Sequence, residues 1–177
     1  LPMFFIRFYN FISCDKYIII SVYKTSLIIK MLELMLFSKI CIASDHAGYD
    51  LKEKIKDYLI KKGVPIIDLG PITKASVDYP DFAKKVAKRL LLRKSDAGIL
   101  VCGSGTGMAI TANKFKSIRA AQCYDKKSTI LSRQHNNANI ICLGSRMINN
   151  KEAFSFINYF FNTKFQGGRH KMRIKKI

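Results

Sequence analysis

The sequence has few acidic residues for its length. Its 177 residues include 12 Asp and Glu against 31 Lys and Arg, so the formal charge is +19. So basic a chain favours an anionic partner, and the charge alone leaves open whether this is nucleic acid, a membrane surface or a phosphorylated small molecule. A solvated, lysine-rich surface explains the same charge. With 49% hydrophobic and 24% charged residues, the composition excludes disordered and collagen-like chains, and the length suits one domain.

No two cysteines show CxxC spacing, and the number of cysteines is odd. The five are Cys14, Cys41, Cys102, Cys123 and Cys142, and Cys41, Cys102 and Cys142 end or lie within apolar runs. This usage favours reduced thiols in a cytoplasmic protein over a disulfide framework. It also lacks the clustered ligands of a structural zinc site.

The sequence also lacks a long apolar run. Residues 1–34 are rich in aromatic residues and isoleucine, but charges interrupt them, and no stretch approaches the ~20 residues that span a bilayer. No clear signal-peptide pattern is present either. We expect residues 1–34 to be an extension outside the domain, namely upstream or disordered sequence read through from an early start; a membrane-associating or targeting segment is the alternative. The domain then covers residues 35–177 and keeps a charge of +17, because the extension holds only four basic and two acidic residues.

Short apolar strands alternate with amphipathic helices from residue 38 onward. Strands are predicted at 39–44, 64–69, 97–102, 118–124 and 140–143, and helices begin near residues 51, 78, 108, 125 and 151. This alternation indicates right-handed βαβ units. We therefore expect an α/β fold, a single Rossmann-like three-layer α/β/α domain with a five-stranded parallel sheet.

Polar or glycine-rich segments follow three of these strands. In a parallel sheet covered by helices, ligands bind at the carboxyl ends of the strands. This rule points to Asp45 and His46 after the first strand, to residues 102–107 after the third and to residues 144–146 after the fifth.

Three glycines alternate in the loop after the third strand, namely Gly103, Gly105 and Gly107. Glycine lets the backbone N–H groups converge on one point, so the loop can hold an anion, either a phosphate or a developing enolate oxygen. The spacing is neither a dinucleotide fingerprint nor a P-loop, which argues against a nucleotide. A purely structural turn stays open.

Cys102 ends the third strand immediately before these donors. A thiol in this position has its thiolate favoured and stands where a base or nucleophile would stand beside an oxyanion hole. The alternative is a small buried hydrophobic residue. A cysteine protease fits poorly, because no Asp or Asn is evidently placed to orient a histidine.

The histidines and the C-terminal arginines are further candidates. His46, His135 and His170 lie in predicted loops or at helix ends, without the clustering that a metal site needs. Arg169 and Arg173 would share one helix face and form a phosphate clamp, unless the tail is only a solvated basic segment.

A set of motifs together resembles ribose-5-phosphate isomerase B. They are SDHAGYDLK (44–52), DYPDFA (78–83), CGSGTGMAITANKF (102–115), IRAAQCYD (118–125), SRQHNNANIICLGSR (132–146) and GGRHKMR (167–173). Over about residues 38–177 they stand in the order and spacing of that family. The related galactose-6-phosphate isomerase subunits share the fold and some of these motifs.

The resemblance implies an aldose–ketose isomerase of the pentose phosphate pathway that interconverts ribose 5-phosphate and ribulose 5-phosphate through a cis-enediolate. Cys102 would be the catalytic base, and Met108 occupies the position of a glutamate that a second branch of the family uses instead. Ser104 would assist proton transfer, and His135 would open the furanose ring.

The resemblance also implies contacts to the substrate and to a second subunit. Substrate-binding residues would be Asp45, His46, Tyr79, Gly103, Gly105, Thr106, Gly107, Asn136, Arg146, Arg169 and Arg173, the arginines holding the phosphate. The family builds each site across a dimer interface, so a homodimer or a dimer of dimers is implied. No metal, organic cofactor, nucleic acid or membrane is implied as a partner.

Two alternatives stay open at this point. One is an isomerase of a six-carbon sugar phosphate, such as galactose 6-phosphate or allose 6-phosphate, because sequence does not show the depth of a pocket. The other is a basic nucleic-acid-binding module, although the basic residues are scattered along helices without an RNA-binding aromatic motif or a helix-turn-helix pattern.

Overall fold

The computed structural model of this chain describes residues 37–177. The prediction that residues 1–34 form a separate extension therefore lies outside the described residues. Within the part that is described, no helix combines the length and the apolar character needed to cross a membrane.

A five-stranded sheet forms the centre of the fold. Its strands lie in the order β2-β1-β3-β5-β4, and every neighbouring pair is parallel. The strand bounds are β1 (Ile40–Ser44), β2 (Ile66–Asp68), β3 (Ala97–Cys102), β4 (Ala120–Gln122) and β5 (Ile140–Gly144). The three central strands β1, β3 and β5 are buried along their whole length, as a parallel sheet covered on both faces requires.

Helices cover both faces of this sheet. Their bounds are α1 (Tyr49–Lys61), α2 (Tyr79–Leu91), α3 (Thr106–Ala112), α4 (Lys126–Gln134), α5 (Asn150–Asn162) and α6 (Gly168–Ile174). Helices α2 and α3 pack together in one layer, whereas α5 packs against both α1 and α4 in the other. The predicted three-layer α/β/α fold with a five-stranded parallel sheet is confirmed.

The amphipathic pattern of the sequence explains how the helices meet the sheet. On α2, Phe82, Val86 and Leu90 are buried on one face, and Pro80 lies in the first turn, where its missing N–H costs nothing. Helix α3 begins at Thr106, two residues before its predicted start. It ends at Ala112, and the N–H groups of Lys114 and Phe115 bond only three residues back, which tightens the chain into a turn.

Both edge strands are shorter than the sequence predicts. Strand β4 has three residues, and its open side is occupied by the side chain of Asn113. That amide accepts the Ala120 N–H at 2.8 Å and donates to the Ala120 carbonyl at 2.9 Å. A side chain therefore takes the place of a further strand and protects the edge from pairing with another chain.

Lys52 is a buried charge that joins α1 to the segment after β2. Its side chain is fully buried, and Nζ donates to both carboxylate oxygens of Asp68, at 3.0 and 2.8 Å, and to the Pro71 carbonyl at 2.8 Å. Glu53 and Lys56 complete the network. These bonds fix the start of the segment that leads from β2 to α2.

Because all strands are parallel, the sheet has two distinct edges. We name the edge where Ser44, Cys102 and Gly144 end their strands the carboxyl edge, and the edge where Ile40, Ala97 and Ile140 begin theirs the amino edge.

Candidate active site

Cys102 is the last residue of β3 and lies at the carboxyl edge. It pairs with Gly144 of β5, and only 5% of it is exposed. The N–H of Gly105 donates to its Sγ at 3.0 Å. A backbone donor on sulfur stabilises the negative charge that forms when the thiol gives up its proton.

The glycine loop after Cys102 is held close to β5. Gly105 has a φ of +84°, and a Cβ there would lie 3.1 Å from the backbone carbon of Leu143, so the position needs glycine on both grounds. A Cβ on Gly144 would lie 2.7 Å from the carbonyl of Ser104. The loop backbone and the end of β5 are therefore in direct contact.

Arg146 lies over the same loop. Its N–H donates to the Gly103 carbonyl at 3.1 Å, and a Cβ on Gly103 would lie 3.3 Å from the guanidinium carbon. The side chain is exposed, so its charge can face an incoming anion. The sequence predicts both residues for the site, and the structure places them together.

Tyr79 closes the other side of the loop. It is the first residue of α2, and its ring covers Gly107, where a Cβ would lie 2.7 Å from a ring carbon. Ser104 and Thr106 of the same loop are exposed. Only a glycine at position 107 lets the tyrosine approach this closely.

The loop after β1 supplies Asp45 and His46 at the same edge. The Asp45 carboxylate is buried and accepts the Gly48 N–H at 2.8 Å, while its own N–H donates to the Val101 carbonyl at 3.1 Å. His46 is exposed, and its Nδ1 lies 3.3 Å from both the N–H and the carbonyl of Val77. Asp45 and His46 are thus fixed next to the end of β3.

A second group of predicted site residues lies around the C-terminal end of α4. The rings of His135 and His170 stack at 4.1 Å with an angle of 7° between their planes. Burial lowers the pKa of His170, and the positive charges of His135, Arg169 and Arg173 lower it further. Asn136, Arg169 and Arg173 are exposed beside this stack.

One chain does not bring the two groups together. Helix α4 leads from the carboxyl edge of β4 back to the amino edge of β5, so His135 lies at the amino edge. Cys102 is paired with Gly144, and the four steps along the chain from Ile140 to Gly144 span about 13 Å at ~3.3 Å per residue. The predicted acid and the predicted base of a single chain are therefore beyond proton-transfer distance.

The amino edge also holds an open cavity of about 290 Å³ beside β4. Its walls are mostly apolar and include Ile118, Ala121, Asn136 and Ile177. This cavity is separate from Cys102. Among residues 37–177, no three or more His, Cys, Asp and Glu side chains cluster in a way that could hold a metal ion.

The sequence analysis missed Gln122, the last residue of β4. Its Nε2 donates to the Ser104 carbonyl and to Thr106 Oγ1, both at 2.9 Å. The rule that ligands bind at the carboxyl ends of strands did not find it, because the fourth strand was predicted to run to residue 124, two residues beyond Gln122. Ser145 lies within the predicted segment 144–146, and its hydroxyl donates to the Ala47 carbonyl at 2.8 Å, which ties the end of β5 to the loop after β1.

Comparisons with known proteins match the part of the chain that contains these site residues. A family profile described as Ribose/Galactose Isomerase matches residues 40–177. Ribose-5-phosphate isomerase B of Escherichia coli is 40% identical over 139 residues, which cover 78% of this chain and 93% of that protein.

Solved structures agree with this match. A ribose 5-phosphate isomerase from Thermotoga maritima is 50% identical and superposes with a TM-score of 0.77, covering 78% of this chain and 96% of that one. Ribose-5-phosphate isomerase B from Mycoplasma genitalium, solved with bound ribulose 5-phosphate, is 44% identical with a TM-score of 0.74, covering 78% and 92%.

Proposed function

Because this chain belongs to the ribose/galactose isomerase family, we propose that it is an aldose–ketose isomerase that interconverts ribose 5-phosphate and ribulose 5-phosphate. The observation that carries the mechanism is the 3.0 Å hydrogen bond from the Gly105 N–H to Cys102 Sγ at the end of β3. It places a sulfur base and backbone donors within one loop.

Cys102 acts as the base. In the open-chain aldose, C2 carries a hydrogen next to the C1 carbonyl, and removal of that proton gives a cis-enediolate. Return of the proton to C1 gives the ketose. One base can serve both carbons, because they are adjacent and the thiol keeps the proton between the two steps. The two sugars are isomers, so the reaction needs no oxidant or reductant.

The glycine loop stabilises the charge that develops on the sugar oxygen. The loop from Gly103 to Gly107 follows Cys102 directly, and its backbone N–H groups supply the donors for this oxygen. Fixed donors of this kind contribute most when water is excluded. The Ser104 hydroxyl is exposed beside them and passes a proton between the two oxygens of the enediolate. The Tyr79 ring over Gly107 limits the access of water.

The arginines hold the phosphate. Arg146 lies against Gly103 at the carboxyl edge, so it can bind an anion without displacing the loop. Arg169 and Arg173 lie four residues apart on α6 and present two guanidinium groups on one face. Phosphate binding fixes the sugar so that its C2 faces the thiol, which contributes orientation rather than chemistry.

A homodimer completes the site. His135 opens the furanose ring and Asn136 binds the sugar, but both lie at the amino edge, away from the Cys102 of their own chain. A symmetric pair that sets the amino edge of each chain against the carboxyl edge of the other yields two equal sites. A dimer of dimers would contain this contact twice.

We further propose that this enzyme works in the cytoplasm with reduced thiols.

The test is the substitution Cys102→Ala in the purified protein. Ketose formation from ribose 5-phosphate should fall by at least about a thousandfold, the usual loss when a catalytic group is removed, because the base that takes the C2 proton is missing. Cys41→Ala is the matched control, since Cys41 is buried at the amino edge of β1 and its substitution should leave the activity intact. A Cys102→Ala protein that isomerises as fast as the parent would refute the role of this thiol.

The substrate is tested with a panel of sugar phosphates. Ribose 5-phosphate should be converted with a kcat/KM well above that of allose 6-phosphate or galactose 6-phosphate. A preference for either hexose phosphate would show that the chain is one of the family members that act on six-carbon sugar phosphates.

A further inference from the structure

Gln122 makes a contact with the glycine loop that the proposed mechanism does not use. It ends β4, the edge strand next to β5, and its side-chain amide reaches across to the start of α3. One N–H of Nε2 donates to the Ser104 carbonyl and the other to Thr106 Oγ1, each at 2.9 Å. Both amide hydrogens of Gln122 therefore bond to the loop that follows β3.

The first of these bonds acts on the peptide that also contacts the thiol. A trans peptide is planar, and its carbonyl and N–H point in opposite directions. In the Ser104–Gly105 peptide, the carbonyl accepts from Gln122 and the N–H donates to Cys102 Sγ. Gln122 and the thiol thus hold one peptide from its two sides.

The other supports of this peptide fix its position but not its plane. Gly144 lies close enough that a Cβ there would meet the Ser104 carbonyl at 2.7 Å, but among the described residues its N–H makes no hydrogen bond to that carbonyl. Gly105 has no side chain and tolerates a wide range of φ, so it does not resist rotation of the peptide. The hydrogen bond from Gln122 on the carbonyl side keeps the Gly105 N–H directed at sulfur.

We propose that Gln122 is a positioning residue of the isomerase, because its amide orients the Ser104–Gly105 peptide so that the Gly105 N–H faces the sulfur of Cys102. The inference rests on the proposed role of Cys102 as the base. Without the amide, the peptide samples orientations in which no donor faces the sulfur, and the negative charge on the sulfur is less well stabilised.

The experiment compares three substitutions at position 122. Gln122→Glu keeps the shape but has no donor, Gln122→Leu has no polar group, and Gln122→Lys restores a donor. Gln122 is exposed, so none of them disturbs the core. Lys54→Leu on α1 is the control for adding an apolar side chain to an exposed position.

We expect Gln122→Leu and Gln122→Glu to lower kcat by about five- to tenfold, the effect of losing one or two hydrogen bonds, with little change in the KM for ribose 5-phosphate. The acid limb of the pH profile of kcat/KM should move to higher pH, because the charged sulfur has lost its donor. Gln122→Lys should recover most of the activity, and Lys54→Leu should match the parent.

The outcomes separate this inference from the function on which it rests. A parent chain that does not isomerise ribose 5-phosphate overturns the proposed function itself. An active parent whose Gln122→Leu and Gln122→Glu variants keep its kcat and pH profile overturns only the role of Gln122. A fall in kcat with an unchanged pH profile, or a Gln122→Lys variant as weak as Gln122→Leu, also overturns it, since a purely structural defect behaves in this way.

Discussion

At the scale of the residue, the direction of the hydrogen bond on sulfur distinguishes Cys102 from two other described cysteines. The thiols of Cys41 and Cys123 donate to backbone carbonyls, and burial raises the pKa of each to about 11. Both stay protonated at neutral pH. The sulfur of Cys102 instead accepts a backbone N–H, which is the arrangement that a base requires.

Gly48 gives a test of how tightly the loops of the carboxyl edge are packed. A Cβ at this position would lie 2.4 Å from the Val101 carbonyl oxygen, a backbone atom that cannot rotate away. We expect Gly48→Ala to lower the free energy of unfolding by about 3 kcal/mol through overpacking, and to reduce activity by displacing Asp45 and His46. Urea denaturation of the parent and the variant measures the change in stability.

Gly168→Ala is the control for this substitution. Gly168 has open space around its missing Cβ, but its φ is +52°. Alanine there should cost only about 1 kcal/mol, the penalty of a left-handed backbone. If Gly48→Ala proves no more destabilising than Gly168→Ala, the conclusion that this loop packs closely against β3 is wrong.

The residues that could be predicted from the sequence are those whose position follows from the order of elements. Cys102 and Gly103 had to lie at the carboxyl edge once β3 was recognised, because a parallel strand ends there. The role of Gln122 could not be predicted, since it depends on how far a side chain reaches across from a neighbouring strand. The stack of His135 on His170 joins residues 35 positions apart, and no local pattern indicates it.

At the scale of the element, the buried network of Lys52 connects α1, β2 and the segment that leads to α2. Burial alone would raise the pKa of Asp68, but hydrogen bonds from Lys52, Lys56 and the Gly70 N–H outweigh it, and the pKa is lowered overall. A carboxyl with a lower pKa in the folded chain than in the unfolded chain stabilises the fold above about pH 4. That contribution is lost as the pH falls towards the folded pKa.

Asp68→Asn tests this network. The substitution leaves the buried ammonium of Lys52 with one charged partner fewer, so we expect the free energy of unfolding at pH 7 to fall by about 3 kcal/mol. The difference between parent and variant should shrink between about pH 5 and pH 2, as the carboxyl of the parent takes up a proton. Urea denaturation over this pH range measures both effects.

Asp57→Asn is the control for the network, because Asp57 is exposed on α1, the helix that carries Lys52. It should change the stability by less than about 0.5 kcal/mol at any of these pH values. A difference between parent and Asp68→Asn that stays constant down to pH 2 would show that the loss does not come from the charge of Asp68.

The lengths of the elements were predicted less well than their order. Periodicity identifies β2 and β4 as apolar runs, but their ends depend on what lies beside them in the sheet. For β4 this is the Asn113 side chain, which bonds both backbone groups of Ala120. Central strands have neighbours on both sides, which is why β3 has the predicted bounds.

At the scale of the whole molecule, the connections of the sheet divide the proposed site between two copies of the chain. Each βα unit carries the chain to the carboxyl edge and back, so residues that follow a strand and residues that follow a helix lie at opposite edges. Cys102 lies where a strand ends, at the carboxyl edge, and His135 lies where a helix ends, at the amino edge. No rotation of side chains brings the two together within one chain, because the length of β5 separates them.

Complementation between two inactive variants tests this division. Cys102→Ala lacks the base and His135→Asn lacks the group that opens the ring, so each alone should be inactive on ribose 5-phosphate. In a mixed dimer of the two, one site combines both substitutions and the other combines the intact Cys102 of one chain with the intact His135 of the other. Random pairing after co-expression should therefore restore about a quarter of the parent activity in a symmetric dimer. If both groups served the same chain's site, co-expression would restore nothing, and the shared site would be refuted.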